Sequence, residues 1–246
     1  MGKRCSRVLK EDIRTELLEI FQELLDHFGP RHWWPAETAL EVIVGAILTQ
    51  NVAWNNVEKA INNLKEEGLL SIGGLIKTRV EKLGNLIRPA RYYNQKAARL
   101  KAFAELVNIK YEGDLEKLLS LSTPELRMEL LALKGIGPET ADSILLYAAN
   151  RPIFVVDAYT KRIFQRLGYL EADVGYSVVQ DFFTSNLPCE TYLFNEYHAL
   201  IVALGNRICL ARRPLCQKCP LLHRCKTSSL EKENSETALG TTMGCT

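Results

Sequence analysis

Near the carboxyl end, Cys209, Cys216, Cys219 and Cys225 form a C-x6-C-x2-C-x5-C pattern inside 17 residues, with Pro214 and Pro220 fixing turns between them. Thiolates this close repel one another unless a cation or a cluster neutralises them. Four thiolates suit either a 4Fe-4S cluster or a structural zinc ion, and ligand identity alone does not separate the two. Four protein ligands leave no open coordination position, so the expected role is structural rather than catalytic. The surrounding segment, Asn206 to Lys226, carries Arg207, Arg212, Arg213, Lys218, Arg224 and Lys226 and no acidic residue, which makes it a compact basic module. Cys5, Cys189 and Cys245 lie outside the pattern.

Two further groups of residues could do chemistry. In Leu131 to Ala141, LALKGIGPETA, two glycines flank one apolar residue ahead of Pro138 at the first position of a helix running to about Asn150, where proline costs no hydrogen bond. Gly135 and Gly137 can take positive φ and expose backbone N–H groups, and the helix start adds its positive dipole end, a cradle for phosphate. A plain helix-to-helix turn reads the same way. Asp157 follows the apolar run Ile153 to Val156 and precedes a helix with Ile163, Phe164 and Leu167 that ends at Gly168. It fits an N-cap, and it equally fits a carboxylate placed to stabilise developing positive charge.

The elements that must position these residues are almost all helical. Apolar residues recur at three- and four-residue steps over Glu11 to Phe28, and further periodic stretches cover 52–65, 80–86, 94–107, 114–119 and 123–133. Ala39 to Thr49 is apolar nearly all round and reads as a buried central helix. Ile153 to Val156 is strand-like but has no sheet to join, so an extended connector is expected. The three tryptophans, Trp33, Trp34 and Trp54, flank the helix Ala39 to Gln50, where they fit core packing and equally a stacking surface for a cationic ring. Arg91, Tyr92, Tyr93, Asn94 and Lys96 form a polar-aromatic stretch open to two readings, a nucleic-acid strand contact or a solvated surface.

At 246 residues with 47% hydrophobic and 24% charged residues, the chain buries a substantial core without disulfide staples. Wholesale disorder and fibrous repeats are excluded. The net charge of +2 means that a polyanion partner must be held by a local patch. No stretch is long and apolar enough to span a bilayer, and the expectation is a soluble, cytoplasmic, monomeric protein, nucleoid-associated in a prokaryote. Residues 227–246 are polar and poor in large apolar groups, and read as a disordered tail.

LKGIGPETA, the downstream VVDAYTKRIFQRLG and the cysteine pattern, in this order and spacing, resemble the helix-hairpin-helix DNA glycosylases of the endonuclease III superfamily over about residues 11–226. The resemblance implies an all-α fold of two helical lobes, 1–38 with 151–226 and 39–150, receiving double-stranded DNA with a flipped base. It implies a hairpin on the DNA backbone, an essential Asp at Asp157, and a 4Fe-4S cluster rather than zinc on Cys209, Cys216, Cys219 and Cys225. Gln50, with Gly135, Ile136, Gly137 and Thr140, is the expected DNA-contacting set, Gln50 filling the space left by the flipped nucleotide.

Strand-cutting members of this family carry a lysine nucleophile four residues after the first hairpin glycine. This chain has Glu139 there, and a carboxylate forms no imine. A monofunctional glycosylase is therefore expected, with Lys134 and Lys161 as the nearby amines that qualify this. WWP, ILTQN and KGIG followed by Pro-Glu resemble the 3-methyladenine glycosylase branch, which implies alkylated purines as substrates, Trp33, Trp34 and Trp54 lining the base pocket, and Glu139 facing the base. Three rivals remain open: an endonuclease III-type glycosylase/lyase on oxidised pyrimidines, a uracil or thymine mismatch glycosylase, and a non-enzymatic DNA-binding module.

Overall fold

The computed structural model describes the backbone of residues 2–228 and the side chains of residues 12–228. Most of the expected tail, from residue 229, and the side chains of Cys5 and Cys245 lie outside the described residues. The described residues divide into two compact units, 34–153 and 2–33 with 154–228. Among the described residues every regular element is helical, and no helix is long and apolar enough to cross a membrane.

The unit of residues 34–153 holds α2 (Ala39–Leu48), α3 (Trp54–Glu66), α4 (Ile72–Lys77), α5 (Val80–Leu86), α6 (Tyr93–Tyr111), α7 (Leu115–Leu119), α8 (Thr123–Leu131) and α9 (Pro138–Tyr147). α2 is buried from Leu40 to Leu48 and packs on α3, α6 and α9, as its all-round apolar sequence requires. Thr38 caps it by accepting from the Glu41 amide at 3.2 Å. A capping box at Ser122 and Glu125 starts α8, and Pro138 sits at the start of α9. α4 escapes apolar periodicity: it is six residues long, contains Gly73 and Gly74, and is started by the Ser71 hydroxyl accepting from Gly74 N.

The other unit holds α1 (Gly2–Phe28), α10 (Ala158–Leu167), α11 (Tyr176–Asn186), α12 (Thr191–Arg207) and the cysteine loop with two short 3-10 turns, 216–218 and 222–224. Its core is aromatic: Phe154 stacks on Phe183 at 4.0 Å, Phe164 meets Phe183 edge-on at 4.7 Å, and the Tyr197 hydroxyl donates to Leu17 O at 2.8 Å. The run Ile153–Val156 is an extended connector, as expected. α11 and α12 were not among the periodic stretches. α12 buries Glu196 and His198 among its apolar residues, which blurs its polar face.

Candidate catalytic and nucleic-acid-binding residues

The hairpin joins α8 to α9. The Arg127 guanidinium donates to both oxygens of the buried Asp142 carboxylate, at 2.7 and 3.1 Å, tying the two helices in a bidentate fork. Between them Ile136 is buried and its amide donates to Leu133 O at 3.0 Å, which anchors the turn. Gly135 has φ +89°, a conformation that favours glycine. Gly137 differs from expectation: at φ −95° it is extended and serves as the N-cap of α9. A Cβ on Gly137 would meet nothing within 4 Å, so what its bare backbone leaves open is approach from outside. Glu139 lies exposed on the first turn of α9, Thr140 is buried behind it, and Lys134 is exposed.

Gln50, just beyond α2, is tied to this hairpin. Its Nε2 donates to Gly135 O at 3.2 Å and to Thr140 Oγ1 at 2.8 Å. Lys96 corrects the surface reading of its stretch: it is buried, with Nζ donating to Leu48 O at 2.8 Å, Gln50 O at 2.9 Å and Ala90 O at 2.8 Å. Burial first, and then the Arg99 guanidinium, push Lys96 down to about 8, while the three carbonyls favour its ammonium form. Arg91 and Tyr92 are exposed and both at positive φ, and Tyr92, left-handed, is the N-cap of α6.

Of the tryptophans, Trp34 and Trp54 come together, edge to face at 5.2 Å, and Trp34 also meets Tyr147 at 5.0 Å. Gly45 of α2 admits the Trp34 indole, which a Cβ there would approach to 3.0 Å. Trp33 belongs to the other unit. Nothing local in the sequence links Tyr147, at the end of α9, to a tryptophan more than a hundred residues earlier.

In that other unit, Asp157 caps α10. Its Oδ1 accepts from Thr160 N at 2.7 Å and from Thr160 Oγ1 at 2.8 Å, and its Oδ2 lies 3.6 Å from Nε2 of the buried His198. Burial pushes this carboxyl up, but His198 and the Thr160 donors together outweigh it and hold the group below its ordinary 3.8. The capping role and a charged, buried carboxylate thus coexist on one residue, one oxygen serving the helix and the other facing His198. His198 had no sequence signal, standing 41 residues downstream in an apolar helix. Lys161 Nζ, one turn beyond Asp157, donates to Val174 O at 2.9 Å.

Cys209, Cys216, Cys219 and Cys225 line one cavity of about 270 Å³ with Arg166, Ile208 and Leu222. Arg166 donates to Cys209 Sγ at 3.1 Å and Leu210 O at 2.8 Å. Arg224 holds the loop on α1 through Glu23 at 2.7 Å and Glu19 at 2.8 Å. Burial pushes the Cys219 thiol up; a Leu221 backbone bond pulls it down and the other three cysteines push it further up, to about 11. Four cysteine sulfurs around one cavity are a donor set that a bound cationic group satisfies. Cys189 is exposed and apart from this set.

Residues 44–189 match the profile of the HhH-GPD superfamily base excision DNA repair protein. A Methanocaldococcus jannaschii protein assigned by name to the DNA repair glycosylases is 47% identical over 219 residues, covering 88% of this chain and 99% of its own. The Helicobacter pylori 3-methyladenine DNA glycosylase MagIII, solved with 1,N6-ethenoadenine, superposes with a TM-score of 0.68 at 28% identity, covering 80% of this chain and 97% of that one. A non-covalent endonuclease III–DNA complex shares the fold, with a TM-score of 0.77 at 24% identity over 89% of this chain and 98% of that one. With the profile spanning more than half the chain and a relative this similar over nearly its whole length, the protein belongs to the HhH-GPD superfamily of base excision DNA repair proteins.

Proposed function

We propose that this protein is a monofunctional DNA glycosylase that removes alkylated purines such as 3-methyladenine from double-stranded DNA, in the compartment that holds the DNA. The observation that carries the chemistry is Asp157, a buried carboxyl that remains ionised because His198 and Thr160 offset its desolvation. Such a group, in a site from which water is excluded, stabilises positive charge far better than one in water. As the N-glycosidic bond breaks, its electron pair leaves with the base, and the sugar becomes positive at C1′. A purine made cationic by alkylation departs neutral and needs little acid assistance. Water then adds to C1′ and releases its proton, leaving an abasic site.

Support for the single-step outcome comes from Glu139, a residue that forms no imine, and from Lys161, whose ammonium is engaged by Val174 O. Support for alkylated purines comes from the likeness to a 3-methyladenine glycosylase and from the paired indoles Trp34 and Trp54, faces that attract cationic bases. Cys209, Cys216, Cys219 and Cys225 are the ligands for a 4Fe-4S cluster. The four cysteines ring one cavity, and the resemblance of their spacing to that of the endonuclease III superfamily favours a cluster over zinc. When bound, the cluster neutralises the four thiolates and fixes the loop.

Chromatography of bases freed from methylated, oxidised and uracil-containing DNA tests the assignment. Release of 3-methyladenine with no borohydride-trapped protein–DNA adduct is expected. Robust pyrimidine release without it, or a trapped adduct, contradicts it.

A further inference from the structure

The residue expected to fill the flipped-out gap and the hairpin expected to grip the backbone are joined by a side chain to which the activity assigns no part. Lys96 and Arg99 stand one turn apart on α6 and so project to the same side. Lys96 fixes the main chain at Gln50 through its carbonyl at 2.9 Å. Arg99 NH1 donates to Gln50 Oε1. A guanidinium has only donors, so the amide must turn its oxygen toward Arg99 and its NH2 toward the hairpin. There Nε2 finds Gly135 O at 3.2 Å and Thr140 Oγ1 at 2.8 Å. The guanidinium also lies against Gly135 so closely that a Cβ on that residue would overlap it.

We propose that Arg99 is a positioning residue that registers Gln50 to the hairpin, so that docking the hairpin on a phosphate simultaneously sets the wedge at the base to be extruded. This rests on the glycosylase reading and adds to it a residue that acts through Gln50 and the hairpin, beside Lys96, and not on the reacting atoms. Without Arg99 the amide can rotate, and the wedge loses its fixed height above the hairpin while the hairpin keeps its own fold through Arg127 and Asp142.

The test uses the full chain and duplex DNA carrying 3-deaza-3-methyladenine, a non-hydrolysable lesion analogue, with 2-aminopurine as its neighbour to report unstacking. The lesion is placed opposite thymine or opposite an abasic analogue, where extrusion costs less. Wild type, Arg99→Ala, Arg99→Lys, Gln50→Ala and the Arg99→Ala/Gln50→Ala pair are compared, with thermal melts to verify folding. The expected result is a loss of extrusion of about tenfold for Arg99→Ala opposite thymine, shrinking to about twofold or less opposite the abasic analogue. Arg99→Lys recovers part of the loss, and Arg99→Ala adds nothing once Gln50 is alanine. Equal losses on both duplexes, or an Arg99→Ala effect that persists in full in the Gln50→Ala background, overturn the coupling alone. Failure of the wild type to extrude the base overturns the glycosylase reading and this inference with it.

Discussion

The cysteine loop and the Lys96–Gln50 knot both remove charged or polar groups from water, and they are stabilised in opposite ways. The knot is self-sufficient: Lys96 meets three carbonyls, and the amide of Gln50 meets a donor on one side and two acceptors on the other. The loop has four like donors around one cavity and a thiol driven to about 11, and the proposed cluster is the partner that would satisfy them. One region therefore satisfies its polar groups within the chain, and the other is the place where the proposed cluster would act. The knot also lies where chain segments distant in sequence meet, whereas the loop is local, and this governs which of them the sequence reveals.

The contrast is broken most forcefully at the loop. Cys216→Ser, or stripping of bound iron, is expected to destabilise the protein by at least about 5 kcal/mol, a fall of about 10–20 °C in Tm. Calorimetry together with iron and sulfide analysis checks this, and an unchanged Tm in an iron-free protein contradicts the need for an external partner. Lys96→Met comes next. It leaves three carbonyls without their donor, at a cost of about 3 kcal/mol, and iron content should not change. A urea titration reads the cost, and a neutral result would mean that the knot is dispensable.

Asp157 gives the smallest effects on stability. Asp157→Ala removes the α10 cap and costs about 1 kcal/mol, while Asp157→Asn keeps a capping side chain and costs about half that or less. The carboxyl sits below 3.8 in the folded chain, so it binds a proton less readily there than when unfolded. Its contribution is full above the unfolded value and is lost as pH falls through the folded one. Urea midpoints between pH 5 and pH 3 should fall more steeply for wild type than for Asp157→Asn, and parallel slopes would refute the shift.

The cysteine spacing, the hairpin and Asp157 were legible because each is contained within a few residues and a turn or helix start. Among the described residues, all the α-helices but α4, α11 and α12 coincide with a periodic stretch, the Pro138 start or the Asp157 cap read from the sequence. Lys96 was not legible, because a lysine among tyrosines and an asparagine looks solvated until Leu48, Gln50 and Ala90 bring their carbonyls to it. Arg99 and Tyr147 were hidden for the same reason, and His198 because its helix buries polar residues among apolar ones. The positive φ expected at Gly137 failed because the proline that follows it sets an extended N-cap instead.

The central claim is that the Asp157 carboxylate drives hydrolysis without a covalent enzyme–DNA bond. Single-turnover release of 3-methyladenine by wild type and by Asp157→Asn, each with matched folding and lesion binding, tests it most directly. A rate loss of at least about a hundredfold on removing the charge alone is predicted; an asparagine variant that releases the base at the wild-type rate would contradict the account.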